Sequence, residues 1–271
     1  MQQNQINSSS NHQEQMTADE QRRFAGTQKL YGEKAFEQFQ QAHVMVIGIG
    51  GVGSWAVEAL ARSGVGHLTL IDMDVVASSN VNRQLPALTS TLGHEKIAVM
   101  AQRCREINPH IQLDLIDDYL TAENVQSLLS SSPDVVLDCI DDVQAKLALI
   151  VHCRFHKIPL IVSGGAGGKV DPTQIKVADL ARTQQDPMLA KIRNQLRRKG
   201  ICKNVKEKFG LTCIYSEEQP KLAANSCATA GLHCGGYGSA VAVTSSFAMF
   251  AVAEVLKKIP KAIAMREKKM K

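Results

Sequence analysis

The sequence predicts an α/β fold of the Rossmann-like type, in which a mostly parallel sheet carries helices on both faces. Short apolar runs alternate with helix-like stretches, the order that builds parallel β-α-β units. The expected strands cover residues 43–49, 68–71, 111–116, 135–138 and 160–162. Glycines follow the first strand and acids follow two others, which places polar groups at the edge where such sheets bind ligands. A basic helical insertion and a C-terminal helix complete the expected fold.

Four closely spaced glycines, Gly48, Gly50, Gly51 and Gly53, follow the first strand, and a helix is predicted over residues 54–62. Glycine lets the backbone turn tightly and approach a phosphate without a Cβ in the way. The N-terminus of the following helix attracts anions. The second strand ends at Asp72, at the spacing of about twenty residues expected for a ribose acceptor. Together these features predict a nucleotide site.

The residues after the second strand indicate which chemistry the nucleotide serves. Asp72, Asp74, Asn80 and Arg83 lie close together in the sequence, and Lys96 adds a second cation before the next predicted helix. An NAD-dependent oxidoreductase would use the glycines and Asp72 in the same way, but hydride transfer gains little from extra cations. Attack at a phosphorus needs them, because negative charge must be held on the surrounding oxygens. The pattern therefore favours chemistry at a phosphate.

The motifs GxGGxGS, LIDxDxVxxSNxNRQ, GxxK and LDCIDD, between residues 48 and 165, carry a specific resemblance. They resemble the ATP-binding core of the ubiquitin-activating-enzyme-like adenylyltransferases, the superfamily that includes the molybdopterin and thiazole sulfur-carrier activators. Two further segments, 163–173 and 179–188, are similar to one branch of it, the tRNA threonylcarbamoyladenosine dehydratases. With the closing motif GYGSAV, nearly the whole chain from Arg22 onward resembles that branch.

The resemblance implies a role for individual residues. Gly50 and Gly51 are implied to cradle the ATP phosphates, and Asp72 to bind the ribose. The implied phosphate contacts are Asn80, Arg83 and Lys96, and the implied magnesium ligand is Asp141.

Each of these residues, taken alone, has a structural alternative. Asp72 and Asp141 follow strands and could cap the next helix. Arg83 and Lys96 could be solvated surface charges. Their joint spacing is what predicts catalytic roles for Arg83, Lys96 and Asp141. Two cations and a metal-binding carboxylate can neutralise a triphosphate and orient its α-phosphorus for attack by a carboxylate.

By resemblance to the dehydratases, the expected activity is ATP-dependent adenylation of the carboxylate of threonylcarbamoyladenosine, next to the tRNA anticodon, followed by ring closure with loss of water. ATP and magnesium are the implied cofactors. The implied partners are tRNA, a second copy of the chain in a homodimer, and a sulfurtransferase. Three alternatives stay open: a sulfur-carrier-protein adenylyltransferase, an NAD-dependent oxidoreductase and a non-enzymatic nucleotide-sensing RNA-binding module.

The cysteines bear on these alternatives. The sequence contains no C-x-x-C pair, so the structural zinc common in sulfur-carrier activators is not expected. Cys104, Cys139 and Cys153 lie in or beside predicted elements and are expected to act as small buried apolar groups. Cys234 follows His233 and precedes two glycines, which makes it the candidate for a reactive thiol.

The N-terminal region departs from the related enzymes. They read R-[YF]-x-R-Q there and donate the second arginine to the partner's ATP, whereas Gly26 occupies that place here. Arg22, Arg23 and Lys29 are the candidates to replace it. Residues 1–21 are polar and lack an apolar core, so they are expected to form a disordered tail before an adenylation domain over residues 22–256.

Positive charge is concentrated in two segments of a chain whose formal net charge is +5. The first lies within the basic insertion predicted at 187–210, and the second is the expected C-terminal tail, 257–271. Unbalanced positive charge binds phosphate backbones, although a solvated helix face is the alternative. The expected tRNA-binding residues are Lys191, Arg193, Arg197, Arg198, Lys199 and Lys203.

Residues 238–256 are nearly uncharged, but their small residues and Glu254 suit a helix packed in a soluble core or a dimer interface. Membrane association through this segment, with Lys257 and Lys258 at its end, is the alternative. Seven cysteines, an odd count, without a secretory signal fit a reducing compartment, so a cytoplasmic location is expected.

Overall fold

The protein is built on a seven-stranded sheet, seen in a computed structural model that describes residues 18–202, 204, 207–221 and 237–270. The strands are β1 (His43–Ile47), β2 (His67–Ile71), β3 (Gln112–Ile116), β4 (Val135–Asp138), β5 (Leu160–Ser163), β6 (Ile175–Asp179) and β7 (Thr212–Ser216). Their order is β3-β2-β1-β4-β5-β7-β6, and only the β6–β7 pair is antiparallel. The predicted Rossmann-like sheet is confirmed.

Helices cover both faces of this sheet, as predicted. They are α1 (Ala18–Tyr31), α2 (Glu33–Gln41), α3 (Gly53–Arg62), α4 (Lys96–Ile107), α5 (Val125–Leu128), α6 (Val143–His156), α7 (Pro187–Arg198) and α8 (Val241–Met270). Alternate residues of β1 serve the two faces: Val44 and Val46 pack with α3, α4 and α8, whereas Met45 and Ile47 pack with α5, α6 and α7. This two-sided burial explains why the central strands read as continuous apolar runs.

Strands β6 and β7 are absent from the sequence-based prediction. β6 lies at the edge of the sheet, where a strand can be stable with only one face buried. Its sequence mixes Ile175 and Val177 with Lys176 and Asp179. Edge strands of this kind give a weak pattern because only part of the strand is buried. β7 matters for function because it sits beside β5 and brings residues 216–220 to the same edge of the sheet.

The long C-terminal helix α8 packs against α3 in the core. Its buried stripe includes Phe247, Ala251, Val255 and Ile259, so the predicted division at residues 256/257 falls inside one continuous helix. The expectation of a helix packed in a core is confirmed. Within the described residues, no helix combines the length and apolar content needed to span a bilayer. At the other end of the chain, α1 begins at Ala18, inside the segment predicted to be a tail.

Candidate active site

A cavity of about 1370 Å³ lies over the carboxyl edge of the sheet, where the strand order reverses between β1 and β4. One part, here called the nucleotide lobe, lies on the β2–β1 side and is lined by Gly48, Gly50, Gly51, Asp72, Asp74, Asn80, Arg83, Lys96 and Asp141. The other part, here called the second lobe, lies on the β5–β7 side and is lined by Gly164, Gly165, Lys169, Asp186, Met188 and Tyr237.

The predicted glycines divide into two roles. Gly48 has φ +86° and Gly53 starts α3, and a Cβ on Gly53 would lie 1.9 Å from the Gly48 carbonyl oxygen. These two glycines shape the turn. Gly50 and Gly51 line the cavity, and the nearest atom to a Cβ on Gly50 would be Gln84 Nε2, at 3.9 Å. Gly50 thus leaves room for a ligand to approach the backbone, whereas a Cβ on Gly51 would lie 3.2 Å from Thr244 Cγ2.

Asp72 anchors this glycine turn from the end of β2. Its Oδ2 accepts a hydrogen bond from the Ile49 N–H at 2.6 Å, and its Oδ1 accepts one from the Asp74 N–H at 2.8 Å. Burial raises the pKa of the Asp72 carboxyl, while Lys96 and these two N–H groups act in the opposite direction. The carboxylate therefore fixes the shape of the turn as well as lining the cavity.

Lys96 is held between two carboxylates. Its side chain is only 5% exposed, and Nζ lies 2.6 Å from Asp74 Oδ2 and 3.9 Å from Asp72 Oδ1. Tyr119 donates a hydrogen bond to the other oxygen of Asp74, which raises the pKa of the tyrosine to about 12. Burial opposes ionisation of Asp74, but the hydrogen bonds from Lys96 and Tyr119 outweigh it and lower the pKa. Sequence reasoning found Lys96 and Asp74 but missed Tyr119.

Asn80, at the end of a short 3₁₀ turn, and Arg83, three residues beyond it, line the cavity. The Asn80 side-chain oxygen accepts a hydrogen bond from the Ala77 N–H at 3.0 Å. The Arg83 guanidinium donates to the Ser79 carbonyl at 2.8 Å, and the Trp55 indole donates to the Arg83 carbonyl at 3.0 Å. These two hydrogen bonds hold the side chain and the backbone of Arg83 at the cavity wall.

Gln84, beside this turn, was not singled out by the sequence. It is buried, lines the cavity next to Gly50, and its Oε1 has no partner among the described residues. A buried acceptor without a partner is costly, so a ligand that supplies a donor would be favoured at this point.

Asp141 lies exposed at the cavity wall, just beyond β4. Below it is a buried ion pair: Lys146 and Asp138 are both 0% exposed, with Nζ 2.9 Å from Oδ1. Lys146 also donates to the Ser163 carbonyl at 2.8 Å, at the end of β5. Burial raises the pKa of the Asp138 carboxyl, and Lys146 opposes that rise. The pair joins the ends of β4 and β5 beneath the cavity.

The second lobe is shaped by the N-terminus of α7. Asp186 caps this helix, accepting a hydrogen bond from the Leu189 N–H at 3.0 Å, and its other oxygen accepts one from the Gly165 N–H at 2.8 Å. A Cβ on Gly164 would lie 2.2 Å from Asp186 Oδ2, so only glycine fits there. Asp186 therefore connects the segment after β5 to the N-terminus of α7 at the wall of the second lobe.

The predicted basic residues do not share one environment. Lys191, Arg198 and Lys199 are exposed on or just after α7. Arg193 donates to the carbonyls of Leu180 and Thr183, and the Arg197 guanidinium lies 5.7 Å from the centre of the Phe209 ring. Lys203 lies outside the described residues.

Burial disfavours the thiolate form of three cysteines that the sequence singled out. Cys104 and Cys153 are buried, as expected, and burial raises the pKa of each to about 12. Cys139 lines the cavity, and burial of its thiol likewise raises its pKa to about 12. Cys234 and His233 lie outside the described residues.

Comparison with known proteins now decides the family, because residues 22–270 match the ThiF family. The chain belongs to the ThiF family. It is 48% identical over 249 residues to the tRNA threonylcarbamoyladenosine dehydratase of Escherichia coli K12, covering 88% of this chain and 93% of that protein. It is 38% identical over 130 residues to the molybdopterin-synthase adenylyltransferase of Salmonella typhimurium, covering 48% of this chain and 51% of that protein.

Solved structures of the family agree with the fold. A crystal structure of the E. coli dehydratase in complex with ATP is 46% identical, has a TM-score of 0.84, and is matched over 93% of this chain and 99% of that chain. The resemblance read from the motifs is confirmed.

Proposed function

We propose that this protein is an ATP-dependent adenylating enzyme that dehydrates threonylcarbamoyladenosine in tRNA. The observation that carries the proposal is one cavity that joins the nucleotide lobe to a second lobe, in a chain that aligns with a curated dehydratase across 93% of that protein. The relative named as a molybdopterin-synthase adenylyltransferase aligns over 48% of this chain. Of these two likenesses, the one to the dehydratase extends over more of this chain, 88% against 48%.

The reaction proceeds in two balanced steps. A carboxylate oxygen of the substrate attacks the α-phosphorus of ATP, and the bond to the pyrophosphate oxygen breaks, which gives an acyl adenylate and pyrophosphate. The carbamoyl group of the same modification then attacks the activated carbonyl and loses a proton, while AMP leaves with the former carboxylate oxygen. Ring closure is fast without an enzyme nucleophile because the attacking group is tethered to the carbonyl.

The nucleotide lobe supplies charge for the first step. Arg83 and Lys96 contact the phosphates, and Asp74 holds Lys96 in place to face the negative charge that develops on the phosphate oxygens. Asp72 and the glycine turn hold the ribose and phosphate backbone. Asp141 would hold magnesium: an exposed carboxylate at the wall fits an ion that keeps water and phosphate oxygens as its other ligands. When bound, magnesium neutralises phosphate charge.

Helix α7 connects the cavity to a basic surface. Its first residues, Pro187 and Met188, line the cavity, and its last turn carries Arg197 and Arg198. A helix of 12 residues spans about 18 Å, so the basic end lies roughly one helix length from the second lobe. That spacing lets the basic end bind the tRNA backbone while the modified base enters the cavity.

Replacing Lys191, Arg198 and Lys199 together with Ala tests this surface. We expect weaker tRNA binding and a log–log salt slope smaller by up to about one for each phosphate that the variant no longer neutralises, with ATP affinity unchanged. Lys176→Ala, on the exposed side of β6, is the matched control. An unchanged salt slope in the triple variant would reduce the segment to a solvated helix face.

The remaining partners and features stay proposals. A homodimer and a sulfurtransferase partner are carried by the resemblance, and a cytoplasmic location by the cysteine content. Of the three candidates to replace the arginine that is missing at Gly26, Arg23 donates a hydrogen bond to the Glu106 carbonyl at 3.0 Å, at the end of α4. Arg22 and Lys29 are exposed. Arg22 and Lys29 are therefore the better candidates for reaching a partner's ATP.

The decisive experiment combines the protein with ATP, magnesium and tRNA bearing threonylcarbamoyladenosine. We expect AMP, pyrophosphate and a nucleoside lighter by one water in mass spectrometry, and none of these with unmodified tRNA. Arg83→Ala and Asp141→Ala should lower kcat by about a hundredfold or more while the protein remains folded. Cys234→Ser should keep part of the activity, since the nucleophile belongs to the substrate.

Three results would contradict the proposal. Release of ADP and phosphate would exclude adenylation, and preference for NAD over ATP would favour an oxidoreductase. Adenylation of a small diglycine-ended protein, with no mass change on the tRNA, would transfer the assignment to sulfur-carrier activation.

A further inference from the structure

The second lobe contains a buried lysine for which the described residues provide no directly paired carboxylate. Lys169 is 2% exposed and lines the cavity. Its Nζ donates to the Ser216 carbonyl at 3.0 Å and to the Gln185 carbonyl at 3.3 Å. An ammonium group has three N–H donors, so these two neutral carbonyls leave one donor to be satisfied.

The two acids whose charges act on Lys169, Asp186 and Glu218, make hydrogen bonds to other groups. Asp186 caps the N-terminus of α7 and binds the Gly165 N–H. Glu218 Oε2 accepts the N–H groups of Val170 and Asp171, each at 2.9 Å, and Glu218 also faces Lys221 at 3.9 Å. Burial lowers the pKa of Lys169, and the more distant charges of Asp186 and Glu218 restore it only in part. Both carboxylates therefore make their hydrogen bonds to backbone N–H groups around residues 165–171 and not to Lys169.

A buried ammonium without a paired carboxylate is costly, and such groups are commonly retained where a ligand supplies the counter-charge. The surroundings of Lys169 allow a ligand to approach. Lys169 and Gly165 line the same cavity, and a Cβ on Gly165 would lie no closer than 3.7 Å to any other side chain, with Met188 Cε the nearest atom. The ligand must be an anion small enough to share this cavity with a nucleotide.

We infer that the second lobe is a carboxylate-binding site, in which Lys169 binds one oxygen of the substrate carboxyl group. This inference rests on the proposed function and adds to it the residue that recognises the acceptor. Binding of one oxygen leaves the other to attack the α-phosphorus. After adenylation, the oxygen held by Lys169 is the carbonyl oxygen, where negative charge develops during ring closure. The same contact therefore serves both steps.

The test compares Lys169→Met with Lys176→Met, which removes an exposed lysine on β6. The K169M variant should raise the KM for modified tRNA about tenfold or more, the usual effect of removing a hydrogen bond to a charged group. Its binding preference for modified over unmodified tRNA should fall, while ATP affinity stays at the wild-type value. K169Q, an uncharged donor of similar length, should recover part of the loss, and K176M should match the wild type.

A purely structural lysine gives a different result. If Lys169 only fastens the carbonyls of Gln185 and Ser216, K169M will lower the melting temperature and leave the preference for modified tRNA unchanged, which overturns the inference. Should K169M fail to fold, an unchanged KM and preference in K169Q would overturn it equally. Failure of the wild-type protein to dehydrate modified tRNA would count against the proposed function instead, so the two failures are distinguishable.

Discussion

The two lobes of the cavity each hold a buried lysine, and the charges of these lysines are balanced differently. In the nucleotide lobe, Lys96 pairs with Asp74 at 2.6 Å and lies near Asp72 at 3.9 Å. In the second lobe, Lys169 contacts two backbone carbonyls. The cavity therefore combines a site whose charges are already paired with one that gains its counter-charge from a ligand.

The difference follows from what each lobe must do. A triphosphate carries several negative charges. The carboxylates that hold Lys96 in place keep this cation preorganised, and their own negative charge is smaller than that of the ligand. A single carboxylate brings one negative charge and a weaker attraction. A lysine without a paired acid retains most of its attraction for such a ligand, at the cost of burying charge.

The largest expected effect comes from Lys96→Met. Loss of this cation leaves Asp72 and Asp74 facing the triphosphate, so we expect ATP-dependent pyrophosphate release to fall by about a hundredfold or more, with weaker ATP binding. Binding of modified tRNA without ATP should be unaffected. Calorimetry with ATP and a filter assay with tRNA measure the two quantities separately. If K96M instead weakened tRNA binding and spared ATP, the division between the lobes would be wrong.

A smaller effect is expected from the buried pair beneath both lobes. Lys146→Met leaves Asp138 buried without its cation and should lower the free energy of unfolding by about 3–5 kcal/mol. The double variant Asp138→Asn/Lys146→Met should recover part of this loss, because no buried charge is left unpaired. Urea denaturation measures the change. Because the pair joins β4 to β5, the affinities for ATP and for tRNA should fall together in K146M, unlike in K96M or K169M.

The smallest effect is expected at the amino-terminal ends of β1 and β2, on the side of the sheet away from both lobes. The rings of His43 and His67 stack with their centres 3.8 Å apart. Burial is the main cause that lowers the pKa of His43 from 6.5 to about 4, and the charge of His67 is the second. Asp114 opposes this shift, and Arg266 adds to it. Between these pKa values the unfolded chain binds more protons at this site than the folded protein, so stability decreases as the pH falls from 6.5 toward 4.

Replacing His43 with Gln removes this titration and should flatten the decrease in melting temperature between pH 6.5 and pH 4, measured by circular dichroism. At neutral pH, ATP binding and tRNA preference should equal those of the wild type. A loss of either one in H43Q would show that this edge of the sheet communicates with the cavity.

The sequence predicted the five strands β1 to β5, and the central strands β1, β4 and β5 are apolar runs because both of their faces are buried. It did not predict β6, an edge strand with only a partial apolar face, and it also did not predict β7, which lies buried between β5 and β6. It predicted Lys96 and Asp74 as members of one site, and the structure brings them to 2.6 Å. The roles of Arg83, Asp141 and the basic residues of α7 remain predictions.

The sequence by itself determined the nucleotide lobe, because a phosphate turn requires particular residues at fixed short spacings along one strand, one turn and one helix. Only the tertiary structure decided the second lobe. Its wall joins Gly164 and Lys169 to Asp186 and Ser216, which meet because β7 lies beside β5 and α7 starts above them. Burial and the counter-charge of Lys169 depend on those long-range contacts, and no local pattern encodes them.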